Sequence, residues 1–253
     1  MDNLALAWRA EEACLNAVPS LRQVLLDGWL IRQSGGPIKR ANSANPLHNA
    51  ADDPPRIIAE ARRLYASRGH PTIFRIPTIA AAIDPHLESA GFTVEAESCV
   101  LFADLAEAAV ADEVELIAGA SRDWLAARKH MTGSSDADHL IFERLLDVVL
   151  APGIFAAIRR EGRIVSAARG IIHDRLLVVD SMATDAAFRQ QGLGSLIVGS
   201  LLGWARRQRA TGACLQVVAG NKAAHPLYRK LGFRTELYRY HYRREREGQD
   251  SAR

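Results

Sequence analysis

The stretch from Leu176 to Gly203 constrains the fold most, because it reads as a strand, a glycine-bearing turn and a helix in direct succession. Leu176 to Val179 is an apolar, β-branched run, and Ser181-Met182-Ala183-Thr184 extends it up to the polar pair Thr184-Asp185. Leu193, Leu196, Ile197, Leu201 and Trp204 then recur at spacings that share one helical face. Between the two lies Arg189-Gln190-Gln191-Gly192-Leu193-Gly194, with glycines in the turn that opens the helix. Missing side chains let a ligand approach the backbone. The first helical turn also has N–H groups without intrahelical partners and roughly half a positive charge, so a phosphate fits there. A dinucleotide fingerprint needs a third glycine where Ile197 stands, and a P-loop needs Gly-Lys-Ser/Thr where Gly194 is followed by Ser195, so both are excluded.

A second segment follows. Ala213 to Val218 reads as a short strand and leads to Asn221-Lys222-Ala223-Ala224-His225-Pro226-Leu227-Tyr228-Arg229-Lys230-Leu231-Gly232-Phe233, then a strand from Phe233 to Arg243. The first segment resembles the pyrophosphate-binding motif of the GNAT superfamily of acyl-CoA-dependent N-acyltransferases, Arg/Gln-x-x-Gly-x-Gly/Ala after a strand. The second resembles that superfamily's Asn, Ala, Tyr and Leu-Gly-Phe signature. The two cover roughly the last half of the chain. The resemblance implies an α/β fold with a mixed sheet and acetyl-CoA as co-substrate; the residues alone support only a mixed α/β chain.

Composition sets the class. The 253 residues are 48% hydrophobic and 24% charged with a formal charge of +3, which describes an ordinary globular chain and gives no case for nucleic acid. Cys14, Cys99 and Cys214 lie far apart inside apolar stretches, without metal-ligand spacing, and read as buried thiols of a reducing compartment. No His/Cys spacing suggests a metal. The N-terminus lacks the pattern of a signal peptide and no apolar run approaches membrane-spanning length, so the expected location is cytoplasmic.

Taken in order, the chain suggests a repeat. A helix is expected over Trp8 to Val18, one strand with a bulge near Gly28 over Gln23 to Arg32, a polar loop after Pro46, and a helix from Pro55. Pro71 to Ile76 is a strand, Asp84 to Ala90 a short helix ending in Gly91-Phe92, and Thr93 to Asp104 a long strand. Setting Gly91-Phe92 on Gly232-Phe233 aligns strand, helix, Gly-Phe and strand, with Leu87 opposite Tyr228. The chain thus looks like two tandem GNAT units, residues 1–108 and 109–253. The first resembles a unit that has lost its cofactor site, since Ala51-Asp52-Asp53-Pro54-Pro55 carries acids in place of glycines. It either walls the active unit or lends Arg40, Asn42, Ser43 and Asn45 to the substrate. In the second half, Ser121 caps a helix carrying Trp124, Leu125, Arg128 and Met131, and Ser135 with Asp138 opens a helix whose stripe is Ile141, Leu145 and Val148. A hairpin turning at Glu161-Gly162 precedes the Leu176 strand. The alternating strand Thr235 to Arg243 reads as an edge that needs covering.

Acyl transfer to an amine needs a grip on phosphates, a donor to the thioester carbonyl, a base and an acid. The GNAT pattern assigns Arg189, Gln190, Gln191, Gly192, Leu193, Gly194 and Ser195 to the pyrophosphate, and main-chain groups of Met182, Ala183 and Thr184 to the carbonyl and the pantetheine arm. Tyr228 is that family's usual proton donor to the thiolate, and the alternative is a core tyrosine. Asn221 either bonds the pantetheine amides or caps the helix. Asp180 shares a pleat face with Leu176 and is the candidate base, against a structural carboxylate. Lys222, Arg229 and Lys230 lie near the expected cofactor entrance. The leading expectation is an N-acetyltransferase acting on a small-molecule or peptide amine, without nucleic acid or membrane partners. The alternative is an acyl-CoA-binding pseudoenzyme or sensor without turnover.

Overall fold

A computed structural model describes residues 3–49, 52–105 and 110–246. In chain order the elements are α1 (Asn3–Ala17), β1 (Arg22–Leu26), β2 (Trp29–Gln33), β3 (Ala44–Pro46), α2 (Pro54–Ala66), β4 (Ile73–Pro77), α3 (Asp84–Ser89), β5 (Thr93–Asp104), β6 (Glu115–Ile117), α4 (Arg122–Thr132), α5 (Asp136–Asp147), β7 (Gly153–Arg160), β8 (Arg163–His173), β9 (Leu176–Thr184), α6 (Leu193–Arg207), β10 (Gly212–Val218), α7 (Ala224–Lys230) and β11 (Thr235–Arg244).

These elements form two compact units, neither continuous in sequence: Met1–Pro19 with Cys99–Leu237, and Ser20–Ser98 with Tyr238–Arg253. The expected boundary at 108 and 109 lies outside the described residues. The chain's first helix belongs with its later elements, and its last strand ends in the earlier ones.

In the unit built on Cys99–Leu237, β6, β7, β8 and β9 pair antiparallel in turn and β10 joins β9 in parallel. Ala168, Leu177 and Val179 pack with Leu193, Ile197 and Leu201 of α6 in one cluster, which Leu101, Ala103 and Phe233 also join. Trp124 of α4 is fully buried, donates Nε1 to the Ala156 carbonyl at 3.1 Å and meets Phe155 edge-on at 4.8 Å. Its caps are as expected, Ser121 accepting from Trp124 N and Ser135 from Asp138 N. The α5 stripe is rotated from expectation. Phe142 and Leu145 are buried while Val148 is 47% exposed, because Val148 already lies at the C-cap, past the last helical turn.

The Ser20–Ser98 unit has its own core of Trp29, Phe74 and Phe92 stacked edge-on in series, with Ile57, Ile58, Ala61 and Tyr65 of α2. Here the sequence expectation of one strand over 23–32 fails. Asp27 and Gly28 take φ of +45° and +76°, the two-residue turn of a tight hairpin, so β1 and β2 are antiparallel partners with Leu26 opposite Trp29. The expected edge at β11 is covered: Tyr240 to Arg244 pair antiparallel with β4. Among the described residues no helix is long and apolar enough to cross a membrane.

The repeat has a local geometric counterpart. Phe92 N donates to the Leu87 carbonyl and Phe233 N to the Tyr228 carbonyl, both at 3.0 Å, across glycines at φ +85° and +96°. Leu87 and Tyr228 therefore hold the same place in the same helix-ending turn, and Leu87 is fully buried. At the start of α2 the Asp53 side chain accepts from Arg56 N, so a carboxylate caps the helix there.

Candidate active site

The sheet opens at one point. Pairs between β9 and β10 run from Leu176–Gly212 to Val179–Leu215, and both strands continue past the last pair, β9 to Thr184 and β10 to Val218. The cause lies one residue further along β9. On the β8 side the register jumps, with Arg169 opposite Asp180 but Ala167 opposite Ala183, and Ser181 takes φ +55°. Such a bulge bends a strand and turns it away from its neighbour. The sequence reading took Ser181 to Thr184 as regular strand, since no glycine or proline marks the irregularity.

Beside this opening α6 begins. Gly192 is its N-cap at φ +80° with no side-chain cap, and Gln190 precedes it at φ +62°. Ser195 and Leu196 donate back to the Gly192 carbonyl, whereas the N–H groups from Gln191 to Gly194 meet no acceptor among the described residues. A Cβ on Gly192 would touch nothing within 4 Å, but one on Gly194 would lie 2.9 Å from Leu227 Cδ1 and 3.2 Å from Met182 Cε. Gly194 thus lies against the side-chain ends of Leu227 on α7 and Met182 on β9, which would have to shift for a Cβ, whereas Gly192 takes a backbone conformation that favours glycine. Arg189 bonds the Thr184 carbonyl through Nε at 3.3 Å, and Gln191 Nε2 the Ala187 carbonyl at 3.4 Å, which fixes the turn from below. Thr184 Oγ1 pairs with Ser166 Oγ at 2.8 Å, and the Ala183 carbonyl accepts from the same hydroxyl at 3.3 Å.

Asp180 ends the regular part of β9. Its Oδ2 accepts from Arg169 Nε and Nη2 at 3.0 and 2.7 Å and from Ser181 Oγ at 3.2 Å. Arg169 is 3% exposed and also bonds the Ala17 carbonyl of α1 at 2.8 Å. Burial raises the Tyr228 phenol above its ordinary pKa, and the Asp180 charge raises it further. Its ring meets Phe233 edge-on at 6.0 Å. Asn221 Oδ1 accepts from Ala224 N, the first N–H of α7, at 3.2 Å, although Ala223 is the N-cap residue. Lys222, Arg229 and Lys230 are exposed on or just before that helix.

Asn45 is fully buried on β3 and Ser43 just ahead of it, and Asn42 pins the preceding loop by accepting from Ser34 N and Gly35 N. His173 bonds Asn16 and Glu12, and His241 bonds Asp84. No group of three or more His, Cys, Asp or Glu able to hold a metal occurs among the described residues. The sequence reading missed Arg169. Its signal was a single charge inside the apolar run from Ile164 to Ile172, which no membrane or solvent face explains.

A family model described as "Probable histone acetyltransferase Rv0428c C-terminal" matches residues 8–243. The chain belongs to this family. It is therefore an acyltransferase. Solved structures agree on the fold. A GCN5-related N-acetyltransferase from Kribbella flavida superposes with a TM-score of 0.69 at 20% identity, covering 99% of this chain and 98% of that one. A tandem GNAT protein from the clavulanic acid biosynthesis pathway gives 0.67 at 11% identity, covering 98% and 94%. A putative GNAT-family acetyltransferase from Novosphingobium aromaticivorans gives 0.60 at 16%, covering 94% of both chains. No curated protein matches by sequence. The fold is GNAT, and the opening between β9 and β10 lies within it.

Proposed function

We propose that this protein transfers an acetyl group from acetyl-CoA to a primary amine of a small-molecule or peptide acceptor, at the opening between β9 and β10. The observation that carries this reading is the coincidence of that opening with a helix N-terminus that no side chain of its N-cap residue closes and whose N–H groups from Gln191 to Gly194 meet no acceptor among the described residues. Open space at the Gly192 Cβ position fits a phosphate lying against the backbone. Acetyl-CoA, when bound, supplies the thioester carbonyl and the thiolate that leaves.

The chain's own groups divide the remaining work. The N–H groups from Gln191 to Gly194, with Arg189, Gln190 and Ser195 around them, hold the pyrophosphate, and the free stretch of β9 at Met182, Ala183 and Thr184 offers main-chain partners to the pantetheine arm and the carbonyl. Tyr228 keeps its proton at neutral pH, because burial and Asp180 both raise its pKa, and it can release that proton to a departing thiolate. Asn221 gives its carbonyl to the helix and keeps its amide for a ligand. Asp180 takes the amine proton, held in position by Arg169. Three buried free thiols agree with a cytoplasmic location. The Ser20–Ser98 unit, with Asp53 capping α2 and Leu87 in the place of Tyr228, supports the active unit without binding cofactor.

One observation favours the sensor reading: Oδ2 of Asp180, the candidate base, is already occupied by a guanidinium. A thiol-release assay with acetyl-CoA over a panel of amines decides. Release that depends on an amine supports the enzyme. A rise in melting temperature with acetyl-CoA and no release with any amine supports the sensor.

A further inference from the structure

Two of the three cysteines meet inside the protein. Cys14 on α1 and Cys214 on β10 are 200 residues apart in the chain, yet their sulfurs lie 4.0 Å from each other, at 2% and 0% exposure. In β10 the side chains of Ala213, Leu215 and Val217 pack in the α6 cluster, so strand alternation turns Cys214 to the opposite face of the sheet, toward α1. Cys14 shares a helix face with the buried Ala7, Ala10 and Ala17, whose small side chains let α1 lie close on the strands. That helix is anchored along its length. Arg9 bonds the Asp174 carboxylate at 2.6 Å and the Asp174 carbonyl at 2.9 Å, Glu12 bonds His173 at 3.0 Å, and the Ala17 carbonyl accepts from Arg169 at 2.8 Å. Both sulfurs are thus held on fixed elements and already in contact.

We infer that Cys14 and Cys214 are an oxidation site, where a peroxide joins them in a reversible disulfide that staples α1 to the sheet. Starting from a contact of 4.0 Å, each sulfur moves by about 1 Å to reach a bond of about 2 Å. The first step puts one peroxide oxygen on the Cys14 sulfur, breaking the O–O bond and releasing water, and leaves a sulfenic acid. In the second the Cys214 sulfur attacks that sulfur, the S–S bond forms, the S–O bond breaks, and the hydroxyl leaves with the Cys214 proton as a second water. Together the two sulfurs lose the two electrons that the peroxide gains. The hydrogen bond to Cys14, together with burial, raises the Cys214 thiol well above its ordinary pKa, so it carries its proton until that step. Disulfides of reducing compartments are commonly transient and redox-sensing, which suits a pair that is reduced at rest. The staple also reaches the candidate site. Cys214 pairs with Val178 of β9, two residues before Asp180, and Cys14 lies one turn before Ala17, whose carbonyl braces Arg169.

The test uses the full chain with hydrogen peroxide as the oxidant. Oxidised wild type, then unfolded and alkylated, should show one reactive thiol where the reduced protein shows three, and should be lighter by two hydrogens. Digestion should release a peptide pair joined through Cys14 and Cys214, and dithiothreitol should restore all three thiols. Because the bond closes a very long loop, the oxidised protein should melt higher by about 5 °C or more. Cys14→Ala and Cys214→Ala should each abolish the link and the rise, while Cys99→Ala keeps both. The peptide map is read on wild type, so it decides even where a variant folds poorly. Neither readout needs acetyl-CoA or an amine, so the outcome is independent of the acetyltransferase reading. Three thiols after oxidation, a link through Cys99, oxygen added to sulfur without a link, or a linked protein that melts no higher than the reduced one would overturn it.

Discussion

Arg169 on β8 holds Oδ2 of Asp180 on β9 with two donors, Nε at 3.0 Å and Nη2 at 2.7 Å, one residue before the bulge that opens the sheet. The pair is nearly closed to solvent, with side-chain exposures of 4% and 11%. Removing one partner of such a pair leaves a buried charge without compensation and costs about 3–5 kcal/mol. Asp180→Ala should therefore lower stability toward the small end of that range, since Arg169 keeps the Ala17 carbonyl. The double variant Asp180→Leu with Arg169→Met should recover much of the loss while turnover stays absent. Urea titrations of the three proteins check this, and an Asp180→Ala midpoint equal to wild type would show that the pair carries no buried charge.

Gly192 and Gly194 should respond in opposite ways. A side chain at Gly192 meets open space but must adopt φ +80°, at a strain of about 1–2 kcal/mol for a β-branched residue. Gly192→Val should fold with modestly lower stability and show no rise in melting temperature with acetyl-CoA. Gly194→Ala must displace Leu227 and Met182, so its loss appears in the apo protein. An acetyl-CoA shift in Gly192→Val equal to wild type would remove the phosphate from that turn.

Much of the site could be read from spacing because its parts are local. A glycine-opened helix after a strand, an Asn before a short helix and a Gly-Phe ending are short-range patterns, and the structure keeps them within a few residues of expectation. What escaped the sequence depends on partners distant along the chain. The Ser181 bulge appears only in the pairing of β9 with β8, and the carbonyl that Arg169 bonds besides Asp180 is that of Ala17 on α1, more than a hundred residues earlier. Asp27-Gly28 was legible as a hairpin turn, but the apolar residues on both sides made one strand look sufficient.

The discontinuous units make a prediction about fragments. A chain starting at residue 110 lacks α1, whose Ala10, Ala13 and Cys14 are buried, with Cys14 Sγ 4.0 Å from Cys214 Sγ on β10. It also lacks Leu101 and Ala103, which pack in the α6 core. Exposing that much apolar surface should leave the fragment aggregated or without fixed packing. Near-ultraviolet dichroism and gel filtration read the outcome, and a sharp, monomeric, cooperatively melting fragment would contradict it.

The last prediction concerns the Tyr228 hydroxyl, which makes no hydrogen bond among the described residues although its ring packs on Phe233. A structural tyrosine normally places its buried hydroxyl against a partner, as Tyr65 does on the Arg32 carbonyl at 3.0 Å. Tyr228→Phe therefore strands no buried group and should leave urea stability within about 0.5 kcal/mol of wild type. Acetyl-CoA should still raise the melting temperature. Turnover should fall by roughly a hundredfold or more, the loss typical of a general acid. Burial and the Asp180 charge both raise the phenol, so the alkaline limb of kcat in wild type, where the acid is lost, should lie above the ordinary tyrosine range. Asp180→Asn, which removes the second cause, should move that limb to lower pH if activity remains measurable. Unchanged turnover in Tyr228→Phe would take the phenol out of the reaction whatever its stability.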